Sequence, residues 1–292
     1  MAQRFRPLMF LAFLASIGVV PSAVAQAPEP PIWVVRDDDS TVYMVGTVHM
    51  MREGVAWQST AVADVLAEAD ELWLEIPDLT PPDNLGGMIM RLGFSPDQPL
   101  SSRLSAEELA GLEAILDEHQ IPLESFDSLR PWFAYLQITS LVMLDAGFDP
   151  QSGIDVQIKA QAEAQGMPVY GFETFDEQFD LLSGMPDKVQ LEVLRQTIAD
   201  YEESQAELVE QLEGWIGGDL GVLEEGTAEI AAELPEFYEA LFVERNVGFV
   251  DGIEEILAGS GTALVAVGLG HYVGPDSIPA MLEARGYTVE RR

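Results

Sequence analysis

The chain has no cysteine. Disulfides, thiolate metal sites, a cysteine nucleophile and a cysteine-linked lipid anchor are all excluded, so stability has to come from the core. Lysine is nearly as scarce, with only Lys159 and Lys188. Positive charge is short altogether: 14 Lys and Arg face 50 Asp and Glu, a formal net charge of −36. Phosphate recognition needs a basic footprint, so nucleic acid is not an expected partner. So acidic a chain stays soluble and is repelled by anionic membrane surfaces. Residues 192–239 hold 14 acidic side chains and a single basic one, Arg195, the pattern of solvated helix faces. A saline habitat is the other source of such a bias.

Long apolar runs are missing beyond the first 20 residues, and a spanning helix needs about 18. The start of the chain reads as a secretory signal peptide, residues 1–25. Arg4 and Arg6 are its basic region, Leu8 to Val20 its apolar stretch, and Ala23-Val24-Ala25 its cleavage site. The expected mature chain, 26–292, is then periplasmic or secreted, with no transmembrane anchor. Several catalytic signatures are also absent: a phosphate-cradling Gly-rich loop, a G-x-S-x-G elbow, a Walker pattern and H-E-x-x-H.

Histidine occurs three times, and two of the three end the same phrase. Val42-Tyr43-Met44-Val45 runs into Gly46-Thr47-Val48-His49. Leu264-Val265-Ala266-Val267 runs into Gly268-Leu269-Gly270-His271. Each is an apolar strand closed by Gly-x-x-His. In a parallel α/β sheet, catalytic and ligand-binding groups collect beyond the carboxyl ends of strands. If both strands lie in one sheet, His49 and His271 are brought together across over 200 residues. The third, His119, follows a helix and is expected on the surface.

Glu75 is the next anomaly, because it closes the apolar strand Leu72-Trp73-Leu74-Glu75-Ile76. A buried carboxylate is costly unless paired or bound to a metal. Glu173 follows Val169 to Phe172 in the same way. Two histidines and a glutamate suit a divalent ion, with Zn, Mn, Fe and Co all compatible by ligand type. Arg245 and Asn246 share a helix whose apolar stripe is Phe242, Asn246, Phe249 and Ile253. Arg245 can aim at a carboxylate or an oxyanion, and Asn246, if buried, needs partners. Glu173 and Asn246 are therefore candidate substrate-binding residues.

The order of elements is strand, helix, strand, many helices, strand, helices, strand, helix, strand. This describes an α/β domain over 26–292 with a long helical insertion at about 187–258. Ser105 to Glu108 is a capping box opening a helix. Within the insertion, Leu191, Leu194, Ile198, Tyr201, Gln205, Leu208, Leu212 and Trp215 step by three and four. That seam predicts a helical hairpin on its own domain or a coiled coil between chains. A further helix is expected over Pro235 to Leu257.

Together these phrases resemble the TraB/PrgY/GumN family, in its GumN-like branch, over about 32–292. The resemblance rests on Gly46-Thr47-Val48-His49, Glu75, Arg130-Pro131-Trp132, Gly153-Ile154-Asp155 and Gly171-Phe172-Glu173-Thr174 with Gln178. It continues through Trp215 with Gly218-Asp219, Glu244-Arg245-Asn246 and Gly268-Leu269-Gly270-His271-Tyr272-Val273-Gly274. The family is similar to Tiki metalloproteases and, more distantly, to erythromycin esterases and haem-binding ChaN proteins. The resemblance implies a mixed, mainly parallel sheet flanked by helices. It also implies a metal-dependent, peptidase-like hydrolase with His49, Glu75 and His271 on a Mn, Co or Zn ion and Arg245 beside them. A metal-free esterase-type hydrolase, and a non-catalytic peptide- or haem-binding protein using the same cleft, are the alternatives.

Overall fold

The computed structural model describes residues 27–78 and 82–292. The expected signal peptide at 1–25, and Pro81, lie outside them. Among the described residues there are eight strands. They are β1 (Ile32–Arg36), β2 (Ser40–Thr47), β3 (Met51–Arg52), β4 (Glu71–Leu74), β5 (Phe148–Asp149), β6 (Val169–Gly171), β7 (Gly261–Gly268) and β8 (Val289–Arg291). Six of them form one sheet in the order β6-β4-β7-β2-β1-β8. β6, β4, β7 and β2 run parallel, while β1 is antiparallel to both β2 and β8. The fold is thus α/β, with the mixed and mainly parallel sheet flanked by helices. β3 and β5 pair separately as a short ribbon.

The apolar runs explain the middle of the sheet. Val42 to Val45 of β2 and Ala263 to Val267 of β7 are buried without alternation, as strands covered on both faces must be. The β1–β2 turn is closed by Asp37, whose Oδ1 accepts from the backbone N–H groups of Asp39 and Ser40 at 3.1 and 2.8 Å. Helices Thr60–Glu68, Ile154–Ala164 and Glu244–Leu257 place Val62, Leu66, Ile154, Ile158, Phe249 and Ile253 in the main core with the sheet. Each such burial contributes about 1.5–3 kcal/mol. Ser59 caps the first of these helices, and Gly166, at φ 72°, follows the second before β6. The expected capping box at Ser105 and Glu108 is formed, and Thr174 and Glu177 make a second that opens helix Phe175–Gly184.

The helical seam resolves differently from its spacing. It is cut at Asp200 into helices Asp187–Ala199 and Tyr201–Ile216. Leu191, Leu194, Ile198 and Tyr201 pack with Leu112, Leu116 and Ile138 in a second apolar cluster, whereas Leu212 and Trp215 enter the main core. One seam therefore serves two packing surfaces within its own chain. The helix expected over Pro235 to Leu257 is continuous but contains a π-helical turn, Glu239–Val243, one residue before Arg245. His119 is not the surface residue expected. Its ring packs edge-on against Tyr201, with Nε2 2.7 Å from the Tyr201 hydroxyl and 3.2 Å from Asp145 Oδ2. Among the described residues no helix is long and apolar enough to cross a membrane.

Candidate active site

β2 and β7 are adjacent and in register, with Gly46 opposite Val267 and Thr47 opposite Gly268. Both Gly-x-x-His phrases therefore leave the sheet at one edge, side by side. Neither Gly46 nor Gly268 needs a positive φ; both are required by close approach. A Cβ on Gly46 would lie 2.7 Å from Leu269 Cδ1, and one on Gly268 2.8 Å from Glu75 Oε1. The next interior strand, β4, delivers Glu75 to the same edge, and the backbone pairing runs on past the strand ends. Phe172 N–H donates to Leu74 O, and Glu173 N–H to Glu75 O at 2.8 Å. Two carboxylates thus come to lie beside each other, and like charges held so close need a cation between them.

Arg245 is that cation. Its Nε donates to Glu173 Oε1 and its Nη2 to Glu173 Oε2, both at 2.8 Å. Nη2 also donates to Glu75 Oε2 at 2.6 Å, and Nη1 to Leu241 O at 3.3 Å and His271 Nε2 at 3.2 Å. A guanidinium has five N–H donors, and these five contacts use them all. None is left for an oxyanion or a substrate carboxylate, the roles expected of it. Gln178, on the first turn of helix Phe175–Gly184, donates through Nε2 to Glu75 Oε2 at 2.9 Å and to Glu173 Oε2 at 2.8 Å. Gly268 N–H donates to Glu75 Oε1 at 2.6 Å. Burial alone would push the Glu75 carboxyl up, but its cationic and hydrogen-bonding neighbours outweigh that and hold it far below the usual range.

The two histidines are opposites. His271 is buried in a short 3-10 turn, Leu269–Tyr272. Asn246 lies behind it rather than at a substrate, because both ends of its amide are committed. Its Nδ2 donates to Asp276 O at 2.7 Å, and its Oδ1 accepts from His271 Nδ1 at 2.6 Å. That sequence of bonds fixes the tautomer: Nδ1 carries the hydrogen, and Nε2 accepts from Arg245. Burial, then the positive charges of Arg245 and His49, push its pKa down to about 4, so the ring is neutral at pH 7.

His49, by contrast, has a side chain that is 64% exposed. Its Nδ1 bonds Asp155 Oδ2 at 2.7 Å, which leaves Nε2 for chemistry. Asp155 sits in the first turn of helix Ile154–Ala164, its other oxygen accepting from Val156 N–H at 2.9 Å. The turn before it docks on the histidine loop. Ile154 N–H donates to Val48 O at 2.8 Å, and a Cβ on Gly153 would lie 2.4 Å from His49 O. The Asp155 hydrogen bond, with the negative charges of Glu75 and Asp155 nearby, raises the His49 pKa to about 9. Between His49 and Glu75 lies a cavity of about 30 Å³, lined also by Thr47, Asp155 and Gln178. It has room for one water, and Leu74, Ile76 and Ala266 make the apolar remainder of its wall.

The sequence reading named His49, Glu75, Glu173, Arg245, Asn246 and His271; the last five form one hydrogen-bonded network, and His49 faces Glu75 across the cavity. It did not assign Asp155 or Gln178 a role, though both fall in phrases it singled out. An ion held by His49, Glu75 and His271 does not fit the arrangement. His271 Nε2 faces Arg245, both Glu75 oxygens already accept hydrogen bonds, and a guanidinium occupies the centre. Among the described residues no three His, Asp or Glu side chains are gathered as a ligand set.

Residues 31–291 match the sequence profile of the TraB/PrgY/gumN family. The chain is 25% identical over 258 residues to the uncharacterized protein YbaP of Escherichia coli (strain K12), covering 87% of this chain and 92% of that one. YbaP of Shigella flexneri matches to the same extent. An uncharacterized protein of Treponema pallidum (strain Nichols) is 23% identical over 95% of this chain and 89% of its own length. No solved structure matches the chain.

Proposed function

The chain belongs to the TraB/PrgY/gumN family, and from the site its phrases build we propose a hydrolase of carbonyl substrates that activates water with His49. The observation that carries this is the one-water cavity between the His49–Asp155 pair and Glu75. His49 Nε2 takes a proton from the water held there. Asp155 fixes the ring and stabilises the imidazolium, and Glu75 and Gln178 orient the water. The same Nε2 returns the proton to the leaving group. Esters, lactones and short peptides are the substrate class. We place the activity outside the cytoplasm, on the strength of the signal-peptide pattern in residues 1–25.

The test is a screen of chromogenic ester, lactone and peptide substrates with purified protein, before and after exhaustive chelation. The expected result is hydrolysis that survives chelation and is lost in His49→Ala. Full activity in His49→Ala ends the proposal. Activity lost to the chelator and restored by Mn, Co or Zn gives the site to the metal-dependent reading. A ligand bound saturably and recovered intact gives it to a binding protein.

A further inference from the structure

The family resemblance assigns His271 and Glu75 to an ion. In the structure these two, with Glu173, point their acceptor atoms at one group, the guanidinium of Arg245. Four of its five N–H donors go to these three side chains, and the fifth goes to Leu241 O. We propose that Arg245 is the built-in cation of the site, and that His271 is a positioning residue held as its neutral acceptor by Asn246. This goes beyond the water-activation reading and does not depend on it, because His49 takes no part in the contact.

The geometry behind His271 carries the argument. An imidazole accepts at Nε2 only when its hydrogen is on Nδ1. Asp276 O orients the Asn246 amide, the amide oxygen takes the Nδ1 hydrogen, and Nε2 is left facing Arg245. The ring is further clamped by Phe249, edge-on with centroids 5.0 Å apart, and by Phe242 at 5.5 Å. Phe242 belongs to the π-helical turn that also supplies Leu241 O to Arg245. The extra residue of that turn thus brings a ring clamp and a carbonyl acceptor to the same place. π-helical turns inside α-helices frequently mark functional sites. A bound ion can leave its ligands. A guanidinium on a helix cannot, so Glu75 keeps its position and its charge without any exchangeable group.

The experiment is nitrogen NMR of protein labelled at histidine, purified without a histidine tag, at pH 7. Only three rings contribute, and the His49→Gln, His119→Gln double variant leaves His271 alone for assignment. The expected spectrum shows His271 neutral, with hydrogen on Nδ1 and none on Nε2, unchanged when one equivalent of Zn²⁺ is added. Hydrogen on Nε2, or an Nε2 resonance moved by stoichiometric Zn²⁺, overturns the proposal. If the double variant does not fold, the wild-type spectrum decides. Three rings with none in the Nδ1–H form overturn it, and one such ring that disappears in Asn246→Leu supports it. Loss of hydrolysis is not a readout here, so failure of the water-activation reading leaves this test intact.

Discussion

Glu173 and Arg245 meet fork to fork, Nε to Oε1 and Nη2 to Oε2, each at 2.8 Å. Such bidentate pairs are among the strongest and most directional of hydrogen-bonded contacts. The Arg245 side chain is only 10% exposed and that of Glu173 16%, with Glu75, the second carboxylate on the same cation, at 8%.

Removing the cation should therefore be severe. Arg245→Met leaves the buried Glu75 carboxylate beside the largely covered Glu173, and breaking a buried pair in this way costs about 3–5 kcal/mol. Urea unfolding should show the midpoint fall accordingly. Adding Glu173→Gln to Arg245→Met should recover part of the loss, because one stranded charge is gone. Strictly additive losses in the double variant would contradict the shared-cation arrangement.

Asp155 governs the proton affinity of His49. The expected His49 titration lies near pH 9 in the wild type and falls toward 6.5 in Asp155→Asn, followed by the ring proton resonances. Because the folded pKa is raised, the interaction adds its full stability below about pH 6.5 and loses it as pH rises through about 9. The melting-temperature gap between wild type and Asp155→Asn should thus narrow with rising pH. Where hydrolysis is found, its rate should climb over the same range as the base form of His49 grows. A pH-independent gap, or equal titrations, would contradict the pairing.

The glycines separate by what surrounds them. Gly268→Ala puts a Cβ 2.8 Å from an oxygen of the Glu75 carboxylate, which Gly268 N–H, Arg245 and Gln178 hold in place. A loss of about 1–3 kcal/mol is expected, as for other overpacked sites. Gly87→Ala, within helix Leu85–Leu92 and with nothing inside 4 Å, should stabilise by about 0.4–1 kcal/mol. Thermal melts of the two variants should move in opposite directions.

The sheet and the site were legible in different degrees. Strand after strand was readable, because interior parallel strands are continuous apolar runs and each here ends in a polar residue out of character with its run. That contrast exposed His49, Glu75 and His271, and Glu173 by the same ending on the edge strand β6. Asp155 gave no such signal: an acidic residue in the first turn of a helix is ordinary, and its partner lies 106 residues away. Gln178 was hidden likewise, one turn into a helix. Arg245 was found, but its saturation depends on five hydrogen bonds to four residues, which spacing does not encode. The break at Asp200 carries no proline or glycine, so the seam read through it.

β7 stands in the middle of the sheet, yet it is encoded near the end of the chain, at residues 261–268. Until it arrives, β6–β4 and β2–β1 are two strand pairs with no strand-to-strand hydrogen bonds between them. Pairings between segments so distant in sequence form slowly, because the loop must close before any contact rewards it. The nascent polypeptide therefore stays open until almost its last residues are made. The sheet has no centre, and the candidate site lacks His271, before then, a delay that suits a chain carrying an export-signal pattern.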